Sequence, residues 1–272
     1  MTQLLNIQDP NEGAKVLRKV HCDLRDGIPK LRWWRGNLYS RVPGEKDRLL
    51  LAFEGMNIRT TKTLSEDPYT YRAVSKEILL YTNPESGNVV HQWENPWNGK
   101  SCHVVHIAND PVNSTIPFSG STFTFPGLIV KDRLLVSSEV PLLYPNPLGG
   151  EYQAYVGGQY HAIEMFSTFT DAPQVLNPAT TSASTVDFSW SRVCQWLPWM
   201  EMGDRAGCLM FHGSGTSLDS FEELPSVLKN AIEQHYPTFK TPPPLDDERS
   251  NETSWKYFKK LKGGEIEDPW KE

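Results

Sequence analysis

Apolar and polar residues alternate along most of this chain, a period of two that calls for extended strands. In LRWWRGNLYSRV (31–42), Trp33, Arg35, Asn37 and Tyr39 share one face, and Trp34, Leu38 and Val42 share the other. Further strand-like runs cover 47–64 (one strand, or a bent pair around Gly55), 69–83, 87–95, 101–108, 122–130, 133–143, 159–170, 185–197 and 207–215. Turn residues separate them: Pro84 to Gly87, Pro96 to Gly99, Asn109-Asp110-Pro111, Lys131-Asp132, and a longer loop through Pro145, Pro147 and Gly150. The runs 69–83 and 87–95 read as one hairpin, and 122–130 and 133–143 as another. The period becomes helical in three places. These are 10–24, capped by Asp9 or Asn11; 222–236, with Leu224, Val227, Leu228 and Ile232 on one stripe; and the segment carrying Trp255, Phe258 and Leu261.

Many strands joined by turns predict a mainly β fold, an antiparallel meander. Polar residues on both faces argue against a filled sandwich, which is the runner-up. The expected architecture is an antiparallel β-barrel, lipocalin-like and closed or nearly closed, with N- and C-terminal helices and an interior that can hold a ligand. Residues 1–240 make the single barrel domain with its flanking helices. Residues 241–272 are a Pro-rich spacer, Thr241-Pro242-Pro243-Pro244, and a peripheral lysine-rich helix. That arm either docks on its own barrel, joins a second subunit in a homodimer, or stays a solvated tail.

Composition narrows the function. With 38% hydrophobic residues, 11% aromatics and nine Trp in 272 residues, a sizeable core can form. A net charge of -6 argues against nucleic acid or an anionic membrane as partner. There is no apolar run of membrane-spanning length and no secretory signal in MTQLLNIQDPNEGAK, so the expected location is cytoplasmic. In that compartment Cys22, Cys102, Cys194 and Cys208 are free thiols, and the sequons at Asn113 and Asn251 carry little meaning. The absence of CxxC, GxGxxG, GxxxxGK[ST], GxSxG and HExxH leaves structural zinc, nucleotide, α/β-hydrolase and zincin chemistry without support.

Several groups could carry chemistry. SCHVVHIANDPVN (101–113) runs a strand into polar groups, with His106 a candidate base oriented by Asp110, and Asn109 and Asn113 beside them. The alternative is that Asp110 and Asn109 only cap a turn. In YHAIEMF (160–166), Tyr160, Ala162, Glu164 and Phe166 share a face, opposite His161; if that face points inward its carboxyl has a raised pKa and can serve as acid or base, and the alternative is a surface Glu among strand neighbours. Trp190, Trp196 and Trp199 either wall an apolar cavity or fill a core. Arg35, Tyr39 and Asn57 could reach the interior from the neighbouring strands, and His212 adds a further imidazole. A metal held by His106, Asp110, His161 and His212 leaves no local spacing to test.

Taken together, WWRGNLYSRVPGE, FEGMNIR, VVHIANDPVN, VPLLYPNPL, YHAIEMF and WLPWMEMGDRAG resemble the bacterial and fungal family known as domain of unknown function 1838, over about residues 5–240. The resemblance implies no defined activity and assigns no catalytic residues. Fungal members often sit among natural-product enzymes, which implies a terpenoid- or polyketide-derived substrate. The expected function is a cofactor-independent isomerase, cyclase or lyase binding a hydrophobic small molecule in a Trp-lined cavity. His106, Asp110, Glu164 and Tyr160 would be catalytic; Arg35, Tyr39, Asn57, Asn109, His161, Trp190, Trp196 and Trp199 would bind substrate. The alternatives are a non-catalytic carrier and a metal-dependent enzyme using His ligands.

Overall fold

Long alternating runs make long strands, and here they make one deep sheet. A computed structural model describes residues 2–4, 7, 9–117, 125, 127–149 and 158–271. Its strands are β1 (Thr2–Leu4), β2 (Lys30–Arg41), β3 (Arg48–Glu66), β4 (Tyr69–Thr82), β5 (Gln92–Glu94), β6 (Ser101–His103), β7 (Ile107–Ile116), β8 (Gly127–Val130), β9 (Arg133–Pro145), β10 (Gln159–Asp171), β11 (Val186–Cys194) and β12 (Cys208–Leu218). The helices are α1 (Pro10–His21), α2 (Ala172–Leu176), α3 (Ser226–His235) and α4 (Ser254–Gly263). Ten strands form an antiparallel sheet in the order β1–β8–β9–β10–β11–β12–β2–β3–β4–β7, and β5 and β6 form a separate pair.

The large sheet curls into a half-barrel. Its outermost strands, β1 and β7, do not pair with each other among the described residues, so the barrel stays open on one side. Two connections differ from expectation. β4 takes β7 as its second partner, while 87–95 touches it only through a bridge from Thr82 to Val89. Asn109-Asp110-Pro111 lies inside β7, where a register shift between Ser75 and Glu77 absorbs an extra residue as a bulge instead of a turn. Residues 122–124, 126 and 150 of the expected 122–130 strand and of the loop after it lie outside the described residues.

Curling brings side chains from distant strands onto one inner face. Leu38, Phe53, Tyr81, Tyr160, Trp190 and Phe211 meet there as the largest apolar cluster. The opposite face of β2–β4 carries Leu31, Met56, Ile58, Ile78 and Leu80, covered by Leu228 and Ile232 of α3. α1 starts where the Asp9 side chain accepts the Asn11 N–H at 2.9 Å. It packs Val16 and Val20 against Leu134, Val136 and Val186. Its fully buried Arg18 reaches Thr61 at 3.0 Å, Tyr69 at 2.8 Å and Asp26 at 2.8 Å.

The C-terminal arm docks on its own barrel. Trp255 of α4 is 1% exposed and its ring lies 5.7 Å from that of Tyr160. The spacer is fastened to β7: Asn113 N–H donates to Asn251 Oδ1 at 2.7 Å, Asn251 Nδ2 donates to Asn113 O at 2.9 Å, and Glu252 N–H donates to Pro111 O at 2.9 Å. The four cysteines are free, and Cys22, Cys102 and Cys194 are buried. Among the described residues no helix is long and apolar enough to cross a membrane.

Candidate functional site

The period of two decides what each strand delivers to the inner face. β2 contributes Arg32 and Trp34, β3 Asn57 and Arg59, β4 Glu77 and Leu79, and β7 Ile107; from across the curl β10 contributes Glu164 and Phe166, and β11 Phe188, Trp190 and Arg192. Together they line a cavity of about 80 Å³ that is partly open to solvent. Trp34 stands edge-on to Phe188 and to Trp190, with ring centroids 6.3 Å away in both cases. Gly55 allows this: a Cβ there would lie 2.8 Å from the Trp34 indole. Gly55, around which the run 47–64 allowed a bend, is therefore a seat for an aromatic ring inside one continuous strand.

The two walls differ electrostatically. On the β10–β11 wall, Glu164 Oε1 lies 3.2 Å from Arg192 Nη1, and Arg192 also donates to the Tyr160 hydroxyl. Burial pushes the Glu164 carboxyl up, Arg192 opposes that, and Glu77 adds to it. Glu77 accepts from Asn109 Nδ2 at 2.7 Å. On the β2–β3 wall, Arg59 Nε donates to Asn57 Oδ1 at 2.6 Å. Arg32 is buried, donates through Nη2 to Val20 O at 3.1 Å, and lies 5.4 Å from the Phe188 ring. Burial, aided by the charge of Arg59, lowers the Arg32 pKa to about 9. Buried Trp34 Nε1, Arg192 Nε and Asn109 Oδ1 have no hydrogen-bond partner among the described residues. Two carboxyls in unlike surroundings, with guanidinium groups around them, can exchange a proton with a bound molecule and stabilise an oxygen that gains negative charge.

Of the residues singled out from sequence, Glu164, Asn57 and Trp190 line this cavity, Tyr160 stands behind Arg192, and Asn109 holds Glu77. The others lie elsewhere. His106 is not oriented by Asp110. Its Nδ1 accepts the Tyr81 N–H at 3.1 Å, its ring lies 5.2 Å from Trp270, and burial lowers its pKa to about 3. Asp110 instead pairs with Arg249 at 2.6 Å and Lys76 at 3.3 Å. Residues four apart on a strand share a face but stand roughly 13 Å from each other. Arg35 is exposed, and Tyr39, which accepts from Asn37 Nδ2, shares its outward parity. The faces of β2 were grouped correctly, but Trp34 and Leu38 take the inner one because they pack on the aromatic cluster. His161 is exposed on the outer face of β10. Trp196 and Trp199 fill the core at one end of the barrel, 5.4 Å from Trp97 and from Tyr81 respectively. His212 is exposed beside Ser191, so the four scattered metal-ligand candidates do not converge. Among the described residues no three His, Cys, Asp or Glu side chains form a metal-binding group.

Arg32, Trp34, Arg59, Glu77 and Arg192 were not assigned from sequence. A signal existed: Tyr69, Tyr71, Ala73, Ser75, Glu77, Leu79 and Tyr81 form one unbroken alternating face of β4. A second, larger groove of about 590 Å³ runs under the C-terminal tail, lined among others by His103, Trp199, Phe258 and Asp268. Its charged lining is Glu201, Glu267, Asp268, Lys262 and Lys271, and it has no arginine among the described residues.

Fold and cavity define a curled antiparallel β-protein with a charged, aromatic-walled interior. The chain belongs to the family described as protein of unknown function (DUF1838), whose profile matches residues 29–262. The match therefore includes most of the C-terminal arm, which the resemblance read from sequence left out. A comparison with curated proteins found no significant match.

Proposed function

We propose that the inner cavity is the active site of an acid–base enzyme acting on a small organic molecule, with Glu164 moving the proton. The reaction would be an isomerisation, cyclisation or elimination carried by the chain's own side chains. What supports this most is Glu164 itself: a carboxyl on the cavity wall, pushed up by burial and facing a second carboxyl, Glu77. A raised carboxyl can hold and release a proton nearer neutral pH. Arg192 then stabilises the anion left behind, and Tyr160 positions Arg192. A terpenoid- or polyketide-derived substrate remains our choice, with only its reacting end inside, because about 80 Å³ does not take a whole skeleton. The free thiols fit a cytoplasmic location.

The test is deuterium uptake. The protein is incubated in D₂O with a panel of carbonyl compounds bearing acidic C–H bonds, and mass gain is followed. Wild type should deuterate at least one member faster than buffer does, and Glu164→Gln should lose about 10²–10⁴-fold of that rate. Binding of panel members without exchange would mark a carrier. Exchange by Glu164→Gln at the wild-type rate would remove Glu164 from the chemistry.

A further inference from the structure

The β2–β3 wall carries two guanidinium groups with no acid of their own. Arg32 is 5% exposed and lines the cavity together with Arg59. Of the five N–H groups of a guanidinium, Arg32 has one with a recorded acceptor among the described residues, the carbonyl of Val20. A buried cation left without an anion is costly, and folds normally supply a partner. The nearby acids are not available. Glu164 pairs with Arg192, Glu77 accepts from Asn109, and among the described residues neither forms an ion pair with Arg32 or Arg59. The groups whose charge Arg32 feels are Arg59, Cys22 and Tyr71. Burial pushes both the Cys22 thiol and the Tyr71 phenol up, so both stay neutral. His21, the remaining titratable neighbour, is held neutral by burial and could only add positive charge.

We propose that Arg32 and Arg59 form a carboxylate-binding subsite, so that the molecule handled in this cavity is an organic acid anchored through its carboxylate. This rests on reading the cavity as a reaction site, and it adds the substrate class. Planar guanidinium forks match a carboxylate in two-point hydrogen bonding. Anchored there, the acid end of the molecule lies among Trp34, Phe188 and Trp190 and brings a carbon close to its carboxylate toward Glu164 on the opposite wall, the rest of the skeleton staying outside. Asn57, between the two arginines and Glu77, offers an amide donor to the same carboxylate.

Calorimetric titration with acetate, butyrate, benzoate, the neutral benzamide and inorganic phosphate tests this. Wild type should bind at least one of the carboxylates, and benzoate at least tenfold more tightly than benzamide. Arg32→Met should lose tenfold or more of the carboxylate affinity and leave benzamide unchanged. Arg59→Gln should move in the same direction, and Arg32→Lys should recover part of the loss. If Arg32→Met does not fold, the acid-to-amide ratio in wild type and the Arg59→Gln variant decide the matter. No carboxylate binding more tightly than its amide, or phosphate binding more tightly than every carboxylate, would overturn the assignment. Glu164→Gln should bind benzoate no more weakly than wild type, because it removes an acid from the cavity wall and leaves both arginines in place. Carboxylate binding by a wild type that catalyses no deuterium exchange would therefore count against the proton-transfer reading alone, and exchange confined to neutral compounds against the carboxylate subsite alone.

Discussion

Glu164 is half-buried on the aromatic-walled cavity and His106 is buried beside Trp270, and desolvation drives them in opposite directions: the carboxyl up, the imidazole down. His106 stays neutral in the folded chain to a pKa of about 3, against 6.5 for an ordinary histidine. Between those values the unfolded chain takes up a proton that the folded chain refuses. The neutral group's contribution is thus complete above pH 6.5 and is lost as pH falls toward 3, by about 1.4 kcal/mol per unit. Urea denaturation between pH 6.5 and 4.5 should show a shallower loss of stability in His106→Gln than in wild type; equal slopes would contradict this account. The same contrast explains what was legible at this scale. Glu164 and Tyr160 were placed on one face by period alone. The role of His106 was misread because alternation fixes a face and says nothing of distance along it.

Among the elements, strands were legible where alternation ran unbroken. β2, β3, β4 and β10 begin and end within about two residues of the expected bounds. β7 was not, because Asn-Asp-Pro reads locally as a turn, whereas pairing with β4 holds it extended around a bulge. The C-terminal arm shows a similar override. A spacer and a short helix have little local reason to stay put, but Trp255 inserts beside Tyr160, behind the Arg192 wall. Trp255→Ala should cost about 3–5 kcal/mol of unfolding free energy, measured by denaturant titration. A cost below about 1 kcal/mol would mean that the arm is only loosely attached.

The molecule as a whole is acidic, with a net charge of -6, yet its inner cavity sets three arginines against two glutamates. On the proposal made above, such a pocket would favour anions locally whatever the charge of the surface. The curl of the sheet creates it by carrying β10 and β11 opposite β2 and β3. No repeat in the chain announces that curl, so Arg32, Arg59 and Arg192 could be placed on faces but not brought together from sequence. The central claim is that binding and proton transfer take place on this inner face. A crystal structure of Glu164→Gln soaked with a compound that wild type deuterates tests it most directly. The account predicts the compound between the two walls, its carboxylate on Arg32 and Arg59 and its exchanging carbon against residue 164. The same compound seated in the groove under the C-terminal tail, or on the outer face of the sheet, would contradict it.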